Sequence, residues 1–191
     1  MSRTTTVTRQ TKETNIELTL SLEGGATDIN TGIGFFDHML HALAAHAGFG
    51  LQISAVGDLH VDGHHTAEDV GIVLGQALRE ALGECRGIAR FGQARVPMDE
   101  ALADAALDLG GRPYLRYDVP ETQSRVGGYD VCLTEEFWRA VCLHSGMTLH
   151  ISAYGNNAHH ITEAVFKACA RALKMAVRVD GTEVPSTKGV L

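Results

Sequence analysis

The sequence predicts an α+β chain, internally duplicated into two half-domains. Each half is a layer of mostly antiparallel sheet covered on one face by long helices. Two observations predict it. "HHTAEDVGIVLGQALREAL" (64–82) and "HHITEAVFKACARALKMAV" (159–177) match in register, and the segments preceding each of them match as well. One order of elements recurring at one spacing marks a duplication. The halves divide near "ECRGIARFGQ" (84–93), at roughly 1–88 and 89–191 of a single 191-residue domain.

The elements follow in chain order. "TTTVTRQ" (4–10) and "NIELTLSL" (15–22) read as the opening strands of the first half. "FFDHMLHALAAH" (35–46) reads as a helix, with Met39, Leu40, Leu43 and Ala44 as its buried stripe. In "HAGFGLQISAVG" (46–57) Leu51, Ile53 and Ala55 alternate with polar residues, the period of a half-buried strand. Residues 64–82 then carry Val70, Val73, Leu74, Ala77, Leu78, Ala81 and Leu82 at the i, i+3, i+4, i+7 spacing of an amphipathic helix. In the second half "QARVPMD", "LADAALDLG" and "YLRYDV" supply the strands. "LTEEFWRAVCLH" (133–144) supplies the first helix and "HSGMTLHISAYG" (144–155) the strand before the second HH helix.

Composition bounds the function. Hydrophobic residues make up 45% and charged residues 20%, an ordinary globular balance, and the net charge of −7 argues against a nucleic-acid or anionic-membrane surface. No apolar run approaches the roughly 18 residues of a membrane span. The polar start "MSRTTTVTRQTKE" does not read as a secretory signal. Cys85, Cys132, Cys142 and Cys169 lack CxxC spacing, as expected for reduced thiols in a cytoplasmic protein.

The ten histidines are the unusual count. On a helix, residues i and i+4 share a face, so His64 with Glu68 and His159 with Glu163 each form a chelating pair. His65 and His160 lie about 100° further round their helices and reach toward a different ion. A single HHxxE is a weak signal, since a histidine at a helix start is ordinarily a capping or surface residue. Two equivalent motifs in a duplicated frame point to two metal sites. Imidazole and carboxylate donors without thiolate favour manganese, iron or zinc over a cysteine-type structural site. His38 aligns with Glu136, and both are candidates for the ligand completing each site. Arg90, Arg112, Lys167, Ser186 and Lys188 are candidate anion-binding residues, which beside a metal point to a phosphorylated substrate.

"TKETNIELTL", "GIGFFDHMLHALAAHAGF", "DLHVDGHHTAEDVGIVLGQAL", "GRPYL", "TLHISAYGNNAHHITEAVFKACARAL" and "PSTKGVL" together resemble the imidazoleglycerol-phosphate dehydratases of histidine biosynthesis, over essentially the whole chain. The resemblance implies a fold like domain 2 of ribosomal protein S5 and a monofunctional enzyme. It implies trimers assembling into a 24-mer, active sites where subunits meet, and two manganese ions per site. One ion would be held by His38, His65, His159 and Glu163, and the other by His64, Glu68 and His160. Many relatives complete the second set with a histidine where this chain has Glu136. The family pattern implies that substrate meets these ligands together with Glu13, His46, Arg90, Arg112, Lys167, Ser186, Thr187 and Lys188. Glu13 is the first candidate for proton transfer and His46 the second.

The implied reaction dehydrates D-erythro-imidazole glycerol phosphate to imidazole acetol phosphate, a phosphorylated imidazole substrate whose ring must provide the driving push. Two ions, one on each ring nitrogen, would stabilise its imidazolate. Two other readings stand beside it. A dinuclear metallohydrolase acting on a phosphorylated small molecule would need ions about 3.5–4 Å apart. A metal-stapled assembly would use the ions only to hold subunits together.

Overall fold

The computed structural model describes residues 3–189, so the last two residues of "PSTKGVL" lie outside the described residues. The first half comprises β1 (Thr4–Gln10), β2 (Thr14–Ser21), β3 (Thr27–Asn30), α1 (Gly34–Ala47), β4 (Gly50–Gly57) and α2 (His64–Leu82). The second comprises β5 (Phe91–Met98), β6 (Ala101–Asp108), β7 (Tyr114–Asp118), the short pair β8 (Arg125–Val126) and β9 (Tyr129–Asp130), α3 (Leu133–Ser145), β10 (Thr148–Tyr154) and α4 (Ala158–Ala176). The four-stranded sheets have orders β1-β2-β4-β3 and β5-β6-β10-β7. In each, the last strand runs parallel to its neighbour and the other pairs are antiparallel.

Alternation decides which sheet face is covered. Ile16, Leu18 and Leu20 on β2, Leu51, Ile53 and Ala55 on β4, and Leu149 and Ile151 on β10 are buried. Their polar neighbours point outward, as a sheet with one solvated face requires. A groove among Arg95, Arg116, His150 and Ser152 lies on the outer face of the second sheet.

The strand β3 was not anticipated. Only Ile29 of its four residues is buried, so it carries no alternation to read. Its counterpart β7 falls within the expected "YLRYDV". Among the described residues the β8–β9 pair has no equivalent in the first half, and it is clasped by Arg125 on Asp130.

Helices pack across the halves. α2 lies on β1 and β2 and α4 on β5 and β6, while α1 packs on α4 and α2 on α3. Two glycines permit the close approach of α2 to α3. A Cβ on Gly71 would stand 2.6 Å from the Phe137 carbonyl oxygen, and one on Gly75 2.7 Å from that of Val141. One apolar core therefore joins both halves, with Phe36, Phe137, Trp138 and Phe166 fully buried in it. Among the described residues, no helix is long and apolar enough to cross a membrane.

Candidate active site

Both doubled histidines sit on helix starts held by short polar side chains. The Asn157 side chain accepts the His159 backbone N–H at 2.9 Å and caps α4. Asp62 accepts the His64 N–H at 2.8 Å at the start of α2. The i, i+4 spacing brings His64 Nε2 to 3.8 Å from Glu68 Oε2 and His159 Nε2 to 3.2 Å from Glu163 Oε2.

The α1–α4 packing adds a third donor to the second pair. His38 Nε2 stands 3.5 Å from Glu163 Oε2, and one donor atom from each of His38, His159 and Glu163 lies within 4.8 Å of the others. With metal–donor bonds of about 2.0–2.2 Å, neighbouring ligands of one ion lie about 3 Å apart, so this cluster needs only a small contraction to hold a divalent cation. Phe35 stacks edge-on to His159 with ring centres 5.0 Å apart, fixing one side of the cluster. Burial works against the charge on Glu163, but Lys167 Nζ at 2.8 Å and the two histidines outweigh it. The carboxyl is held below its ordinary range.

His65 and His160 turn away from these pairs, and each gives Nδ1 to a carboxylate. His65 Nδ1 is 3.0 Å from Asp58 Oδ2 and His160 Nδ1 is 2.7 Å from Glu100 Oε2. Those hydrogen bonds raise both imidazole pKa values. Glu100 is held down at about 2, first by His160 and then by the backbone amides of Asn157 and Asn156. Asp58 and Glu100 carry no metal-motif spacing. Only their position just after β4 and in the β5–β6 turn, facing the helix starts, could have singled them out.

The remaining candidates fall into separate groups. Half-buried His46 lies outside the His38 cluster but feels its Glu163; burial lowers its pKa, with the charges of Lys167 and Arg171 acting the same way and that of Glu163 opposing them. Its repeat counterpart, His144, was not singled out from sequence. Burial and then Arg9 lower its pKa, while nearby Glu68 raises it. Glu136, the counterpart of His38, leans toward Arg139 at 3.7 Å and joins no cluster of three donors among the described residues. Glu13 lies on the exposed β1–β2 turn, where its charge acts on His65.

Arg90 grips Asp108 at 2.6 and 3.1 Å and donates to the Pro185 carbonyl at 2.8 Å, drawing the segment with Ser186, Thr187 and Lys188 toward it. Arg112 approaches the same carboxylate at 3.7 Å and is exposed. This basic group is far from the histidines. The Arg90 N–H bonds to Ala176 at the C-terminal end of α4, whereas His159 stands at its start. A 19-residue helix is about 28 Å long.

A duplicated α/β protein with paired His–carboxylate donors and a remote basic group is the class that this fold and site define. Residues 31–173 match the family model for imidazoleglycerol-phosphate dehydratase. The chain is 59% identical to the imidazoleglycerol-phosphate dehydratase of Acidiphilium cryptum, with 100% of both chains covered. It is also similar to the crystal structure of that enzyme from Staphylococcus aureus, with TM-score 0.85, 39% identity, and 92% of this chain and 99% of the other covered. The Pyrococcus furiosus enzyme in complex with (S)-C348 gives TM-score 0.84 and 41% identity, covering 97% and 100%. The chain belongs to the imidazoleglycerol-phosphate dehydratase family, hydro-lyases of histidine biosynthesis.

Proposed function

We propose that this chain removes water from D-erythro-imidazole glycerol phosphate to give imidazole acetol phosphate, at sites that take two manganese ions and form between subunits of a cytoplasmic 24-mer. The observation that carries the reading is the convergence of His38, His159 and Glu163, echoed by the His64–Glu68 pair at the equivalent helix start. The donors are nitrogen and carboxylate oxygen without sulfur, the set that suits a borderline divalent ion. His38, His159 and Glu163 with a neighbour's His65 would hold one ion, and His64 and Glu68 with a neighbour's His160 the other. Glu136 leans toward Arg139, so it completes the second set only by turning. When bound, the two ions supply Lewis-acid stabilisation of the substrate's imidazolate.

The chain's own residues do the rest. Arg90 with Asp108 forms a rigid base, and the exposed Arg112 and the Ser186–Lys188 segment are free to receive a phosphate. Holding the phosphate fixes the three-carbon chain for elimination. The Glu13 carboxylate, exposed and unhindered, takes the proton next to the departing hydroxyl. His46, with its lowered pKa, is neutral near neutrality and serves as the second proton carrier.

Family membership and a substrate with a phosphate and an imidazole favour this reaction over hydrolysis at a bridged metal pair. Turnover of imidazole glycerol phosphate, followed with and without added manganese, tests it. Formation of imidazole acetol phosphate that depends on manganese is expected. No product in the manganese-loaded protein would end the dehydratase reading, and release of inorganic phosphate instead would favour the hydrolase.

A further inference from the structure

Strand pairing aligns the halves residue by residue. Ile16 pairs with Ala55 on β4 and Ala103 with Ala153 on β10, and the repeat matches Ala55 with Ala153. Gln10 pairs with Asn15 across the β1–β2 turn and Pro97 with Leu102 across the β5–β6 turn. Residues 11–14 therefore correspond to 98–101, and Glu13 corresponds to Glu100.

These equivalent glutamates are used differently. Glu100 is fully engaged: Oε2 takes His160 Nδ1, and Oε1 accepts the N–H groups of Asn156 at 3.1 Å and Asn157 at 2.9 Å. In the first half the residue after the glycine that ends β4 is Asp58, the counterpart of Asn156. The Asp58 backbone N–H goes to the backbone carbonyl of Glu13 rather than to a side chain, and the Asp58 carboxylate takes His65 Nδ1. Among the described residues, no hydrogen bond or ion pair reaches the Glu13 carboxylate.

We propose that the two halves have divided one job between different residues: Glu100 and Asp58 are positioning residues that present Nε2 of His160 and His65 to metal, and Asp58 thereby releases Glu13 for substrate. The inference rests on the two-metal reading above. The physical reason is that a carboxylate accepting from Nδ1–H fixes the tautomer, leaving the Nε2 lone pair free to bind a cation. Asp99, beside His160 Nε2 at 3.8 Å, is exposed and too distant to hydrogen-bond with it.

Substituting Glu100→Gln separates the roles. The amide oxygen still accepts from Asn156 and Asn157, so the loop keeps its anchor. The amide NH2 then faces Nδ1 and selects the tautomer with its proton on Nε2. Asp58→Asn does the same at His65. Manganese titration of the full chain, read by the paramagnetic resonance of free ion, is expected to show two ions per wild-type subunit. Each variant is expected to hold one of the two about 10–100-fold more weakly. Glu13→Gln is expected to hold both as wild type does. In the metal-free chain, imidazole nitrogen shifts of His160 are expected to exchange between its two nitrogens in Glu100→Gln. Unchanged affinities and shifts in both variants would overturn this inference and leave the dehydratase reading standing. Equal weakening by Glu13→Gln would overturn the division of roles. A wild-type protein that holds no manganese would fail the two-metal reading itself.

Discussion

At the scale of single residues, the doubled histidine resolves into two tasks. His64 and His159 face their glutamates four residues on, and His65 and His160 face carboxylates brought by the preceding turns. Helical spacing alone predicts the first task. It says nothing of the second, because Glu100 is sixty residues from His160 in sequence. The same limit applies to His38. The repeat alignment marks it as a candidate ligand but not which pair it joins, since its contact with Glu163 depends on how α1 packs on α4. Glu13 is the residue whose role can be most cleanly isolated. It is exposed and, among the described residues, its side chain anchors nothing, so Glu13→Gln leaves the fold and the proposed metal donors in place. Turnover is expected to fall about 10²–10⁴-fold, the ordinary contribution of a positioned general base. Steady-state assays of manganese-loaded protein, with melting temperature as control, check this. A near-normal rate would remove Glu13 from the proton transfer.

Elements position these residues through a junction that both halves share. Each strand leading to an HH helix ends at or just before a glycine, Gly57 or Gly155, and there the first turns of the helix cross the strand end. A Cβ on Gly57 would lie 2.0 Å from Thr66 Oγ1. One on Gly155 would lie 2.8 Å from both Ala101 Cβ and Ile161 Cγ1, and 3.1 Å from Ala101 Cα. At Gly155 no side-chain rotation relieves the contact with the Ala101 backbone. Gly155→Ala is therefore expected to cost about 1–3 kcal/mol by overpacking. It should also shift the start of α4 and weaken manganese binding, which calorimetric melting and metal titration would register. Wild-type values for both would show that the junction yields. Strands and helices with strong periodicity were legible, and so was their duplication. β3 was not, because one buried isoleucine in four residues leaves no period. The crosswise pairing of α1 with α4 and α2 with α3 was not legible either. An amphipathic stripe reports that a face is buried but does not name what covers it.

At the scale of the whole molecule, the decisive fact is the separation along α4. His159 stands at one end and the Arg90 group at the other, about 25 Å apart by helix rise, a span no small phosphorylated imidazole can bridge. A substrate held by both groups must therefore draw them from two copies of the chain. Two consequences follow. With the ions held between copies as proposed, a chelator is expected to disperse the proposed assembly, which sedimentation would detect, and an assembly that survives intact would argue that no ion bridges subunits. The second consequence concerns mixing. His159→Ala removes a proposed metal donor, and Arg112→Ala removes an exposed cation, so each alone is expected to be nearly inactive. Metal-free samples mixed in equal amounts and reassembled with manganese form sites that draw each contribution at random. Two independent halves give about one site in four with both side chains intact, so about a quarter of wild-type turnover is expected. If each site lay within one chain, every chain in the mixture would still carry a defect, and activity would not return.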